Sequence, residues 1–271
     1  MKISKHAVQI ILAVLVIILS IYLSYYPLFH GDAWWGHDAM AHLNRVYGTL
    51  HNLSLGQFPP YFDIEYRNYP GYSWNLFYPP LYNLIASPIQ YFAGDYNVTI
   101  KLVSMIIGVI ALRCAFSLFY LHNSNFYRSL LLALCYACSL YMADNLFIRF
   151  ALPESLALAF FPLLAAGLLT ADKKQSLKYL IIANTFILLA NIPAAISSIL
   201  FVLLYFAFHR NQINKIMIFI KAYIIALLLA SWFVFPLIYT VYQSSFIMME
   251  SNHFELMSRF SINLYNFISG R

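Results

Sequence analysis

The stretch Gly36-His37-Asp38-Ala39-Met40-Ala41-His42-Leu43-Asn44-Arg45 brings an acid, imidazoles and a guanidinium close together in sequence. If residues 37–50 are helical, Asp38, His42 and Arg45 stand at i, i+4 and i+7 on one face. Met40, Leu43 and Tyr47 can then turn toward an apolar surface. A carboxylate, an imidazole and a guanidinium in such register can hold a phosphate or a metal ion and move a proton. A solvated helix face beside a bilayer is the plainer reading of the same residues. A second set lies in Asp144-Asn145-Leu146-Phe147-Ile148-Arg149-Phe150-Ala151-Leu152-Pro153-Glu154. Asp144 ends one apolar run, and Glu154 sits one residue past Pro153, about a turn into the next. An ionisable group at a helix centre in lipid costs ~2.5–3.5 kcal/mol on insertion scales, so such groups face a cavity or a partner. An Arg149–Glu154 ion pair stapling the two helices is the structural alternative, and it is compatible with a functional role. Spacing therefore yields an outward cavity holding Asp38 and Asp144, but no reaction.

Both sets need a frame to hold them, and composition decides what kind. Of 271 residues, 62% are hydrophobic and 10% charged; the mean hydropathy is +0.71. Soluble domains carry about 25% charged residues, so 16 Lys and Arg with 10 Asp and Glu cannot coat a water-facing shell. A soluble enzyme, a disordered tail and a disulfide-stapled module are excluded, which leaves a polytopic membrane protein. The net charge of +6 does not point to nucleic acid, because no basic run exceeds Lys173-Lys174. Cys114, Cys135 and Cys138 lie in apolar stretches and read as packing residues rather than a redox pair.

Residues 7–27 predict an uncleaved first transmembrane helix whose start is held in the cytoplasm by Lys2 and Lys5. Residues 28–97 form an outer loop rich in Trp, Tyr, Pro and acids (Asp32, Asp38, Asp63, Glu65 and Asp95), with a juxtamembrane helix over 81–92. Spans follow over 98–121, 129–142, 152–171, a pair of short runs within 179–208 interrupted at Asn191-Ile192-Pro193, and 216–239. The connections 122–128, 172–178 and 209–215 carry Arg128, Lys173, Lys174, Lys178, Arg210 and Lys215, all on the cytoplasmic side if 98–121 runs inward. The expectation is an all-α membrane protein of about seven transmembrane helices: a single membrane domain over 1–271, with a bundle over 98–241 and an outer segment over 242–271.

The string Gly36-His37-Asp38 with His42-Leu43-Asn44-Arg45, then Leu55-Gly56-Gln57-Phe58-Pro59, then Phe77-Tyr78-Pro79-Pro80-Leu81, resembles a bacterial branch of the GT-C superfamily of membrane glycosyltransferases. Arg149 and Glu154 ahead of Phe161-Pro162 are similar to the same branch, whose members include 6-pyruvoyl-tetrahydropterin-synthase-related membrane proteins and YfhO-type proteins. The resemblance covers roughly residues 1–240. It implies transfer of a sugar from a polyprenyl-phosphate carrier to an outer-face acceptor, such as the surface polymer teichoic acid. Asp38 would be the catalytic base and His42 a second catalytic residue. Arg45 or Arg149 would neutralise the departing phosphate, with Glu154 beside them. Asp38 and Asp144 would share a divalent cation, Mg2+ or Mn2+, as hard oxygen ligands suit. The superfamily usually has eleven or more helices, more than this chain provides. A transporter or flippase is the alternative class, and Lys101, Arg113 and Lys221 lack an evident acidic partner for it. A non-catalytic scaffold is the third.

Overall fold

The computed structural model describes residues 36–61 and 74–243, together with Val14, Leu15, Ile18, Leu19, Tyr22 and Tyr26. Within the expected first span those six positions are helical and exposed, on a helical spacing that puts an apolar face outward. The acids Asp32, Asp63 and Glu65 and residues 244–271 lie outside the described residues.

The described chain is helical and contains no strand. In order come α1 (Ala39–Ser54), the single turn α2 (Trp74–Phe77), α3 (Leu81–Ala93), α4 (Tyr96–Asn123), α5 (Phe126–Ala137) and α6 (Leu140–Asp144). After a π-helical turn, Asn145–Arg149, come α7 (Leu152–Leu169), α8 (Lys173–Ala190), α9 (Ile192–Phe208), α10 (Ile213–Leu229) and α11 (Ser231–Gln243). The chain divides into two units, Met1–Phe233 and Val234–Arg271. What is described of the second is the end of α11, where Thr240 Oγ1 donates to Pro236 O at 2.7 Å.

Among the described residues two helices, α4 (28 residues) and α7 (18 residues), are long and apolar enough to cross a bilayer alone, or up to four spans form if each of two bent pairs counts as one. One such pair is α5 with α6 and its π turn, bent by 41° at Cys138-Ser139. Seven separate spans were expected; the structure supports the coarser statement of an all-helical protein with two to four candidate spans. Large exposed apolar side chains on the outer helices, including Val109, Leu131, Leu203, Ile224 and Leu228, form the kind of surface that hydrocarbon covers.

Helix α7 is the centre, with Leu152, Leu156, Leu164 and Leu168 fully buried. Its small residues let neighbours come close. A Cβ on Gly167 would stand 2.7 Å from Leu180 Cγ, and Ser176 Oγ of α8 donates to Gly167 O at 2.6 Å. Pro162 cannot donate to the carbonyl four residues back, and Tyr136 OH from α5 takes that place, donating to Leu158 O at 2.7 Å.

Two expected boundaries shift. The basic stretch 172–178 is the first turn of α8 rather than a loop, because Asp172 caps it, accepting from Lys174 N at 2.7 Å and Gln175 N at 2.9 Å. The expected span 216–239 breaks at Ala230 into α10 and α11. The interruption near Pro193 is a single extended residue, Asn191, whose side chain caps α9 by accepting from Ala194 N at 2.9 Å.

The direction of each helix follows from these contacts. Tyr205 OH near the end of α9 donates to Leu168 O at 3.2 Å. Lys215 Nζ at the start of α10 donates to Thr170 O at 2.8 Å and also reaches Leu168 O. One pocket is lined by His122 in the last turn of α4 and by Thr170 and Asp172. The α4–α5, α7–α8 and α9–α10 connections therefore share one end of the bundle. Arg210 lies in the last of these connections, and Arg128, Lys173, Lys174 and Lys215 lie in the first turns of the helices that follow them.

Candidate functional site

The opposite end gathers the two residue sets singled out in the sequence. Asp38 N donates to Arg149 O at 3.1 Å, joining positions 111 apart in sequence. Local backbone makes this possible. The π turn ends at Phe150, which adopts a left-handed φ of 58°, and Ala151 N folds back to Asn145 O at 2.9 Å. That leaves Arg149 O without a helical partner and open to Asp38. Such π turns recur at functional sites. Gly36 is the other half of the fit: a Cβ there would lie 2.3 Å from Phe150 Cδ2 and 2.6 Å from Ile148 O. Only glycine lets the two segments pass.

Asp38 is the N-cap of α1, yet its side chain makes no capping hydrogen bond and is exposed. One and two turns on, the same face plunges inward. His42 is 1% exposed and Arg45 8% exposed. The expected register holds, but its floor is buried rather than solvated. The His42 ring lies 5.1 Å from Tyr82 and 6.3 Å from Tyr78, centroid to centroid, and its polar edge meets the Phe150 backbone. Burial, reinforced by the neighbouring Arg45 charge and only partly offset by the Phe150 backbone, pushes the His42 pKa down to about 3. The ring is neutral at any physiological pH, which suits a donor or a spacer better than a base.

Arg45 is clamped between two aromatic faces, its Cζ 3.7 Å from the Tyr78 ring centroid and 4.4 Å from that of Trp74. These rings are four residues apart, and Tyr78 N donates to Trp74 O at 2.8 Å, so one turn presents both. No ion pair to Arg45 occurs among the described residues, and its Nε has no hydrogen-bond partner. A desolvated cation–π contact contributes about 2 kcal/mol, less than the several kcal/mol needed to strip a cation of water. The aromatic clamp offsets part of that cost, and no anion meets Arg45 among the described residues.

Arg149 is satisfied. Its Nη1 donates to Asn145 Oδ1 at 2.6 Å and its Nη2 to Glu154 Oε2 at 3.3 Å. Glu154 Oε1 also accepts from Asn145 Nδ2 at 3.3 Å and from Tyr141 OH. The helix-stapling ion pair is present, inside a four-residue network across the π turn. Asp144 is half-buried, five residues before Arg149. Among the described residues no group of three or more His, Cys, Asp or Glu stands where a metal ion could be held. Asp38 and Asp144 are thus two carboxylates at one end of the bundle without a described third ligand.

Several contributors escaped the sequence reading. Trp74 and Tyr78 belong to the aromatic-rich outer loop, and their i, i+4 spacing is a usable signal. Asn83, Ser87 and Gln90 recur at i, i+4 and i+7 in otherwise apolar α3, and they lock it to α1 and α4. Asn83 Nδ2 donates to Asn75 Oδ1 at 3.0 Å, and Asn75 Nδ2 to Thr49 Oγ1 at 3.1 Å. Ser87 Oγ donates to Val46 O at 3.1 Å, and Thr99 Oγ1 to Gln90 Oε1 at 2.8 Å. This buried polar seam holds α1, and hence Asp38 and Arg45, against the bundle.

No family model and no solved structure matches the chain. Over 88 residues, 32% of its length, the chain is 30% identical to an uncharacterized protein from Lactococcus lactis subsp. cremoris (strain MG1363). It spans 14% of that relative's length.

Proposed function

We propose that the chain is a GT-C-type membrane glycosyltransferase, or the N-terminal part of one, resident in a bacterial cell membrane with its N-terminus in the cytoplasm. In this reading, about seven helices cross the bilayer, and the end of the bundle that gathers the cations faces the cytoplasm, as the positive-inside rule favours. The Asp38–Arg149 end then faces outward. Its donor is a polyprenyl-phosphate-linked sugar and its acceptor a hydroxyl of a surface polymer such as teichoic acid. The observation that carries the reading is the Asp38–Arg149 backbone hydrogen bond. It places an exposed, uncommitted carboxylate beside an arginine network at the end of the bundle opposite the gathered cations.

The chemistry needs little more. Asp38 accepts the proton of the acceptor hydroxyl as that oxygen bonds to the anomeric carbon, and the bond from that carbon to the phosphate oxygen breaks. The lipid phosphate leaves as an anion, stabilised by Arg45 or Arg149. A positioned general base typically contributes about 10²–10⁴-fold. A divalent cation, if bound by Asp38 and Asp144, would add charge for the phosphate; no step above passes through it. Asp38→Asn is expected to abolish sugar transfer from a polyprenyl-phosphate donor in membranes while leaving insertion intact. Unchanged transfer would remove Asp38 from the mechanism.

A further inference from the structure

Arg45 and Arg149 are not equivalent, and the difference decides which one is free to meet an anion. Arg149 already has a carboxylate, Glu154, and an amide, Asn145, as partners. Arg45 is 8% exposed, has an orphaned Nε, pairs with no described carboxylate and is stacked between Trp74 and Tyr78. Arginine cannot shed its proton in a protein, so a buried guanidinium without an anion is an incomplete arrangement. Beside it lies the neutral His42 ring, 1% exposed, whose N–H is directed to the Phe150 backbone. An anion approaches a guanidinium along its edge, where the N–H groups point.

We propose that α1 and the turn at 74–78 form a binding site for one phosphate group, with Arg45 as its cation. The choice of phosphate rests on the transferase reading above, whereas the need for an anion rests on Arg45 alone. A phosphate ester at the head of a prenyl lipid and free inorganic phosphate share the chemistry that Arg45 recognises, and they differ in whether a tail must lie along the exposed apolar surface nearby, where Met40 and Tyr47 project.

Calorimetric titration of the full chain in lipid nanodiscs with inorganic phosphate and with geranyl phosphate tests the site. Wild type should bind at least one of the two. Geranyl phosphate alone identifies a lipid ester, and both ligands alike identify a site for the phosphate group itself. Arg45→Gln should weaken binding about ten- to a hundredfold, the range for losing a hydrogen bond to a charged group. Arg45→Lys keeps the charge but not the planar fork, and guards against a misfolded glutamine variant; it should weaken binding measurably while thermal unfolding stays near wild type. Binding of neither ligand by wild type, or undiminished affinity in a folded Arg45 variant, overturns the proposal. The two readings fail separately. Arg45-dependent binding without sugar transfer sinks the transferase and keeps the site, and transfer with Arg45-independent binding does the reverse.

Discussion

At the scale of single residues, burial separates what spacing had grouped. Asp38, His42 and Arg45 share a helix face, but only Asp38 reaches solvent. The depressed His42 pKa has a consequence for stability. The ring stays neutral in the folded chain down to about pH 3 but protonates below its ordinary 6.5 once unfolded. Its contribution is therefore fully present above pH 6.5 and is lost as pH falls from there toward 3. Thermal unfolding in detergent should show a melting temperature that drops between pH 6.5 and 5, a window above most carboxylate titrations. His42→Phe, which keeps ring contact with Tyr82, should flatten that part of the profile. Glu154 acts differently. Because Arg149 and Glu154 side chains are 40% and 22% exposed, solvent screens the pair, and Glu154→Gln is expected to lower stability by no more than about 1 kcal/mol.

Between elements, a few contacts set how segments meet. Gly36 passes under Phe150 with no room for a methyl group, and one of the blocking atoms is the backbone oxygen of Ile148, which cannot rotate away. Gly36→Ala should destabilise the chain by about 1–3 kcal/mol, the usual cost of overpacking, and should break the Asp38–Arg149 hydrogen bond. Denaturant unfolding together with amide exchange at Asp38 measures both. Asn191 turns α8 into α9 in one residue by capping Ala194 N. Asn191→Ala is expected to cost about 1 kcal/mol, with Pro193 still marking the start of α9. Helical propensity and apolar runs predicted most of these elements to within a few residues. The exceptions have identifiable causes. Asp172 converts a charged loop into a helix start, and the breaks at Cys138-Ser139 and Ala230 divide apolar runs that composition alone shows as continuous.

For the whole molecule, the bundle has two chemically different ends. One collects Arg128, Lys173, Lys174, Arg210 and Lys215, and the other joins Asp38 to Arg149. If the bundle spans a bilayer, cysteines substituted at exposed positions 37 and 148 should react with an impermeant thiol reagent from one side of sealed vesicles. Cysteines at 174 and 210 should react only from the other. Labelling of all four from one side would dismantle the transmembrane arrangement and, with it, an outward-facing site.

Composition and hydropathic runs determined the helical class and the positions of most helices, because apolar length and the cost of unpaired backbone in lipid leave few other structures for such a chain. They also located Asp38, His42, Arg45, Asp144, Arg149 and Glu154 as residues with chemistry to spare. Tertiary structure alone decided the partners of Arg45. The Arg149–Glu154 pair, five residues apart, was legible in the sequence, whereas the enclosure of Arg45 by Trp74 and Tyr78 depends on packing between segments remote in sequence. So does the burial of His42, since a side chain's exposure is set by what folds over it and not by its neighbours along the chain.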